Sequence, residues 1–136
     1  MISFENITEG FELPSLKKEP ITQLQLIRYA GASGDFNQIH TVPEYAKQAG
    51  LPGTIAHGML SMGILAQMIT NWVSPKQIKT YSVGFKGIAK PDDILTAKGF
   101  VKKKYENENG KFIECKVSVE DQNGEAKADG KVIIKF

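Results

Sequence analysis

The sequence predicts an α+β fold in which an antiparallel sheet wraps around one long apolar helix. Residues 57–73, HGMLSMGILAQMITNWV, carry apolar side chains around nearly the whole helical circumference, with Ser61, Gln67, Thr70 and Asn71 as interruptions. A helix of that kind is expected to be buried on most sides. After Pro75 the texture changes to period-two alternation in four runs, IKTYSVGF, ILTAKGFVKKKYE, KFIECKVSVED and KADGKVIIKF. Rich in β-branched and aromatic residues, they read as four antiparallel strands. NENG at 107–110 and QNG at 122–124 fall between them, and Asn-Gly pairs mark hairpins because both residues tolerate positive φ. A long helix plus a meander of twisted strands is the inventory of an α+β domain.

The N-terminal third supplies shorter elements. FELPSLKKEPIT is an extended lead-in, since Pro20 forces its predecessor out of helical geometry. Thr22 is placed to cap a helix running through TQLQLIRYAGASGD, where Leu24, Ile27 and Tyr29 recur at near-helical spacing and Gly31 and Gly34 supply stop signals. Pro43 suits the first turn of a second helix, PEYAKQAG, with Tyr45, Ala46 and Ala49 on its apolar side and Gly50 at its end. LPGTI, residues 51–55, is a loop.

Bulk properties exclude several classes of function. A length of 136 residues fits one domain, 1–136, and 41% hydrophobic against 24% charged residues is the balance of a compact globular chain. Net charge is +2, too small to argue for nucleic acid as a partner. The start, MISFENITEGFELPS, lacks the basic-then-apolar pattern of an export signal, and no apolar run approaches the roughly 20 residues that span a bilayer. Cys115 is the sole cysteine, so no intrachain disulfide or thiolate cluster can form, which fits a reducing cytoplasm.

Chemistry-bearing side chains concentrate in SGDFNQIH, residues 33–40, which holds one of only two histidines. Asp35 and His40 lie on a segment that should not be helical, so their side chains can converge. An imidazole, with an unperturbed pKa of about 6.5, suits a general base near neutral pH, and a neighbouring carboxylate can orient the same water. Asn37 could tie the loop into shape. Spacing alone favours the plainer reading, with Asp35 and Asn37 as turn residues and His40 as a hydrogen-bonded, partly buried side chain. The segment AHGM adds Gly58 at the start of the long helix, where backbone N–H groups lack intrahelical partners and could hold a developing oxyanion. His57 reads as a helix-start residue making structural hydrogen bonds. Two histidines and a carboxylate could bind metal, but they lack the i, i+4 helical spacing of a zinc hydrolase, so no metal is expected.

YAGASGDFNQIHTVPEYA resembles the signature of the MaoC-like (R)-specific hydratases and dehydratases, in which Gly-Asp-x-Asn-Pro-x-His is followed six residues later by a small residue, here Ala46. GLPGTIAHGMLSMG is similar to that family's second segment, and the likeness runs loosely over almost the whole chain, closest to single-domain hydroxyacyl-carrier-protein dehydratase subunits. The resemblance implies a hot-dog fold, with helix 57–73 inside a curled sheet, and a homodimer joined edge to edge, with a higher oligomer or a heterodimer as alternatives. It implies reversible hydration of trans-2-enoyl thioesters, carried on coenzyme A or acyl carrier protein, to (R)-3-hydroxyacyl thioesters. Asp35 and His40 would be the acid/base pair on a catalytic water, with Gly58 holding the thioester oxygen and no further cofactor. Asn37, Ile39, Ile55, His57, Met59 and Met62 are carried as substrate-binding candidates, with core packing the competing role for the four apolar ones. Thioester hydrolysis, or a non-catalytic acyl-binding subunit of a heteromer, are the rival functions.

The sequence also departs from the family pattern. Gln38 replaces the usual proline, which removes a rigid φ from the loop. Ala66 stands where some members carry serine, Pro91-Asp92-Asp93 replaces Pro-Gly-Asp, and Gly84-Phe85 replaces Arg-Phe; the last two are expected to affect strand geometry more than chemistry. Lys86, Lys90, Lys102, Lys103 and Lys104 could meet a carrier's phosphates or acidic surface, with a solvated strand face as the alternative.

Overall fold

The computed structural model describes residues 2–136. Helix α1 spans Gln23–Ser33, with the Thr22 side chain accepting from the Gln25 amide at its start and Gly34, at φ 76°, closing its end. Gly31 lies inside the helix and does not end it. After a single 3₁₀ turn at Gln38–His40, helix α2 covers Pro43–Gln48 and buries only Ala46. Helix α3 covers Gly58–Trp72 and is followed by a proline-led 3₁₀ turn at Pro75–Gln77.

Five strands form one antiparallel sheet: β1 (Leu16–Lys17), β2 (Ile78–Phe85), β3 (Thr96–Asn107), β4 (Gly110–Glu120) and β5 (Ala126–Lys135), in the order β1-β3-β4-β5-β2. The four expected strands are present, but they are not a simple meander. Only β3-β4-β5 run as consecutive hairpins, while β2 crosses to the far edge and pairs with β5. The lead-in contributes the short edge strand β1, which pairs with β3 beside a Glu12–Phe100 bridge. In the β3–β4 hairpin, Gly110 alone takes positive φ, at 126°, whereas Asn109 keeps negative φ and donates its amide to the Asn107 side chain.

Gly99, Val117, Gly130 and Val83 sit in register across four strands. A Cβ on Gly130 would run into the Ser82 carbonyl oxygen, and one on Gly99 would lie 2.7 Å from the Lys116 carbonyl oxygen. Glycine in this row therefore allows the close strand approach of a curled sheet. The concave face receives α3, whose Ile64, Leu65, Met68 and Ile69 join Val101, Ile113, Cys115, Val119, Val132 and Ile134 in a single core. Burial pushes the Cys115 thiol up to about 12, which keeps it protonated and out of nucleophilic chemistry.

Helix α3 is not buried on most sides. Met59, Gly63, Gln67 and Thr70 are exposed along one face, with Met62 and Ala66 half-buried beside them. The sheet covers one side of the helix, and the apolar residues opposite stay open to solvent in the single chain. Among the described residues, no helix is long and apolar enough to cross a membrane.

Candidate active site

The loop between α1 and α2 is built from three successive side-chain-to-backbone bonds. Ser33 Oγ accepts from the Asp35 amide, Asp35 Oδ1 from the Asn37 amide, and Asn37 Oδ1 from the Ile39 amide. Each link closes a short turn, which is how Ser, Asp and Asn shape a loop without regular structure. Asn37 thus spends its carbonyl on the loop, and Gln38 opens the following 3₁₀ turn with its own carbonyl accepting from the Thr41 and Val42 amides. Hydrogen bonds here do the shaping for which the family commonly has a proline.

This loop is bound to residues 51–57. The Ile55 amide donates to the Ile39 carbonyl, and His40 Nδ1 lies 2.7 Å from the Ile55 carbonyl oxygen. A carbonyl oxygen only accepts, so in the neutral ring Nδ1 carries the hydrogen and Nε2 is left as a lone pair. That Nε2 is 3.8 Å from Asp35 Oδ2. The separation exceeds a direct hydrogen bond, and two acceptors have no hydrogen to share between them. A molecule that donates to both, such as water at about 2.8 Å from each, matches this pair. The His40 side chain is 9% exposed and that of Asp35 54%, so the pair opens to solvent on the carboxylate side.

Gln23 and Thr54 were not singled out from sequence. Gln23 Nε2 donates to the His40 carbonyl, and the Thr54 hydroxyl donates to Gln23 Oε1. Gln23 is a half-buried polar residue in the first turn of α1 and Thr54 lies in a loop, so neither carried a signal beyond its polarity.

His57 stacks on His40 with ring centroids 3.7 Å apart and 22° between planes, and meets the Tyr29 ring edge-on at 4.7 Å. Its Nε2 lies 3.1 Å from the Asp35 carbonyl oxygen. Asp35, His40 and His57 each offer a ligand atom within 4.8 Å of the others. An ion between near-parallel rings would nevertheless lie well out of both ring planes, where neither in-plane lone pair points, so the stacked pair fits a metal poorly at Zn–N lengths of about 2.0–2.1 Å.

Gly58 is the first residue of α3, and no side chain caps that end. Its amide is therefore one of the unpaired donors of the first turn. A Cβ on Gly58 would lie 3.3 Å from Cδ1 of Phe85, so the end of β2 lies against the start of α3. Phe85, which the Arg-Phe pair also carries, thus borders the site, whereas the departure itself is at Gly84, where a Cβ would meet the Lys86 side chain at 3.6 Å. Met59 and Phe85 are 55% and 53% exposed, and Phe36 on the site loop is 67% exposed. Ile39, Ile55 and Met62 are half-buried, and none of these four sequence-picked apolar residues belongs to the buried core. The Met62 carbonyl accepts from the Tyr81 hydroxyl, whose burial pushes it up to about 12. A groove of about 830 Å³ lies on the outer face of the sheet between Glu12, Phe100, Lys116 and Lys131, away from the Asp35–His40 pair.

Four of the five singled-out lysines have partners within the chain, among them Lys103, whose Nζ lies over the Tyr105 ring at 5.1 Å. Lys104 donates to the Ile7 carbonyl and lies over the Phe4 ring, Lys90 pairs with Asp93 at 3.3 Å, and Lys86 with Asp129 at 3.9 Å. Lys104 is thus a tie to the N-terminal segment, neither a solvated strand residue nor part of a free basic patch.

Residues 7–123 match the family model described as MaoC like domain. The β subunit of fatty acid synthase from Saccharomyces cerevisiae is 37% identical over 70 residues, covering 49% of this chain and 3% of that protein. Peroxisomal enoyl-CoA hydratase 2 of Arabidopsis thaliana is 38% identical over 66 residues, covering 46% of this chain and 21% of the relative. The chain thus matches only a small part of the length of either relative. Among solved structures, the (R)-hydratase from A. caviae involved in PHA biosynthesis superposes with a TM-score of 0.83 at 22% identity, over 97% of this chain and 98% of that one. That likeness is one of fold, and it identifies the curled sheet around α3 as the hot-dog arrangement. With the family model spanning most of its length, the chain belongs to the MaoC-like domain family.

Proposed function

We propose that the protein catalyses the reversible hydration of a trans-2-enoyl thioester to the (R)-3-hydroxyacyl thioester, with coenzyme A or an acyl carrier protein as the carrier. The observation that carries this reading is the Asp35–His40 pair. Two acceptors 3.8 Å apart, one of them a histidine whose other nitrogen is tied to a carbonyl, suit a water that donates to both. In the dehydration direction, His40 Nε2 takes the C2 proton and the electron pair moves into the thioester carbonyl held at the Gly58 amide. The C3–O bond then breaks, and the hydroxyl leaves as water with a proton passed through the His40–Asp35 pair. Hydration is the reverse. Stabilisation of the enolate-like oxygen by a backbone N–H at a helix start is the role that such donors play in oxyanion holes. Met59, Phe85 and Phe36 would border the acyl chain. Matches to an enoyl-CoA hydratase and to fatty acid synthase chains support this substrate class.

A second copy of the chain is the partner that the surface favours. β2 pairs with β5 on one side only, and an unpaired edge strand is a template for a further strand. Near its end, Phe85 is exposed, as are the apolar residues along the open face of α3.

The test follows the enoyl absorbance of a short trans-2-enoyl-CoA on adding water, with free thiol read in parallel. Wild-type protein is expected to consume the enoyl group without releasing thiol. Asp35→Asn and His40→Ala are each expected to lower kcat by about 100-fold or more, the usual scale for removing a general acid–base group. Full activity in both variants, or thiol release by the wild type, would overturn the proposal.

A further inference from the structure

We propose that His57 is a positioning residue that sets the Asp35–His40 geometry through its Nε2–H, without itself moving a proton; this rests on the hydratase reading above. The sequence placed His57 at a helix start, and it does occupy the N-cap of α3. Its side chain makes no capping bond there. Asn, Asp, Ser and Thr serve that position better, so helix capping does not account for the ring.

The hydrogen bonds account for it. Nε2 faces the Asp35 carbonyl oxygen at 3.1 Å. Because that oxygen only accepts, Nε2 carries the hydrogen, and Nδ1 is left as a lone pair. Nδ1 is buried and has no hydrogen-bond partner among the described residues, in a side chain that is 2% exposed. Leaving a buried acceptor unpaired is unfavourable, and the bond to Asp35 together with the two ring contacts is what the residue gains in its place.

The two histidines are tied in opposite senses. His40 donates from Nδ1 to the carbonyl of Ile55, two residues before His57, while His57 donates from Nε2 to the carbonyl of Asp35, five residues before His40. Each ring holds the segment of the other, and the rings stack at 3.7 Å between them. Tyr29, from α1, also meets the His57 ring, edge-on at 4.7 Å. Only His40 presents its lone pair to the carboxylate.

Asp35 depends on this arrangement more than His40 does. His40 is also fixed through Gln23 and through the Ile55–Ile39 backbone bond. The turns at Ser33, Asp35 and Asn37 shape the loop internally but tie it to nothing else. Among the described residues, the His57 bond is the one hydrogen bond joining residues 35–37 to a segment beyond 33–40. Removing it leaves the carboxylate on a loop whose shape is defined and whose distance from His40 is not. A reacting group displaced by an ångström loses rate on the order of 100-fold.

Two variants separate the donor from the ring. His57→Phe keeps the stacked ring and removes the N–H; His57→Gln removes the ring and places an amide N–H near the same point. With melting temperatures measured alongside, His57→Phe is expected to lower kcat about 100-fold with KM nearly unchanged, and His57→Gln to recover at least about tenfold of that loss. Nitrogen-15 NMR of the unliganded wild type gives a readout independent of activity: His57 is expected as the Nε2–H tautomer and His40 as the Nδ1–H tautomer. Wild-type kcat in folded His57→Phe, a His57→Gln variant as impaired as His57→Phe, or His57 as the Nδ1–H tautomer would each overturn the assignment. An inactive wild type would remove the hydratase reading, with the tautomer pair still testing the tie itself. Loss of activity in His40→Ala with full activity in His57→Phe would remove only the role of His57.

Discussion

Gly58→Ala separates what the start of α3 does for the reaction from what it does for the fold. The added Cβ would lie 3.3 Å from Cδ1 and 3.4 Å from Cε1 and Cγ of Phe85. Carbon pairs rest at about 3.5–4.0 Å, so the ring must retreat by a few tenths of an ångström. It can do so, because it is 53% exposed and nothing pins its outer face in the single chain. Gly58 is not among the glycines at positive φ, and replacing a helical glycine by alanine is worth roughly 0.5–1 kcal/mol. The melting temperature is therefore expected to hold or to rise by up to about 4 °C. Activity should move the other way. The methyl group and the displaced ring crowd the approach to the amide assigned to the thioester oxygen, and loss of one such donor costs about 100-fold or more in kcat. A thermal melt and the enoyl absorbance assay on the same preparation read both effects. Unchanged kcat/KM in a folded Gly58→Ala protein would refute the placement of the thioester oxygen. If the ring carries part of the effect, Gly58→Ala will cost less in a Phe85→Ala background than in the wild type.

Asp92 is the one described non-glycine residue at positive φ, at 75°, where the family pattern has glycine. Asp92→Gly keeps the amide bond to the Ile21 carbonyl and relieves a left-handed conformation worth about 1–2 kcal/mol in an L-residue, against roughly 0.5–1 kcal/mol of added chain entropy. The melt should shift up by about 2–4 °C, and Asp92→Ala should shift down; equal melts for the three proteins would contradict this. Acid stability should depend on Asp93. Burial pushes its carboxyl up, but hydrogen bonds from Gln122, the Lys90 amide and Lys90 Nζ outweigh burial and hold it below the usual 3.8. A group depressed in the folded state contributes its stability above the unfolded pKa and loses it as pH falls through the folded value. Urea melts of wild type and Asp93→Asn should differ most near neutral pH and converge as pH drops below about 4. A gap that persists unchanged into that acid range would show that the carboxylate's charge is not what stabilises this turn.

Much of the local structure was legible because it is written in adjacent residues. Thr22 and Gly34 mark the ends of α1 through a side-chain oxygen and a positive φ, and the alternating runs after Pro75 place most of their apolar side chains on one face of a sheet, with Phe100 on the other. The Asp35, Asn37 and Gly58 positions follow from the same kind of reasoning, together with the likeness of two ordered segments to one family.

What the sequence did not reveal depends on partners distant along the chain. Alternation states which face of a strand is buried but not which strand lies beside it, so the crossing of β2 to the edge next to β5 had no signature. The helical pattern of α3 marked it as apolar all round, and only the assembled sheet decides which side it covers. Backbone carbonyls carry no residue identity, so neither the Ile55 oxygen that orients His40 nor the Asp35 oxygen that holds His57 could be read in advance. The sequence by itself determined the chemical groups and the local turns that carry them. The tertiary structure decided which histidine presents its lone pair to the carboxylate, because that depends on which carbonyl each ring meets once two loops are brought together.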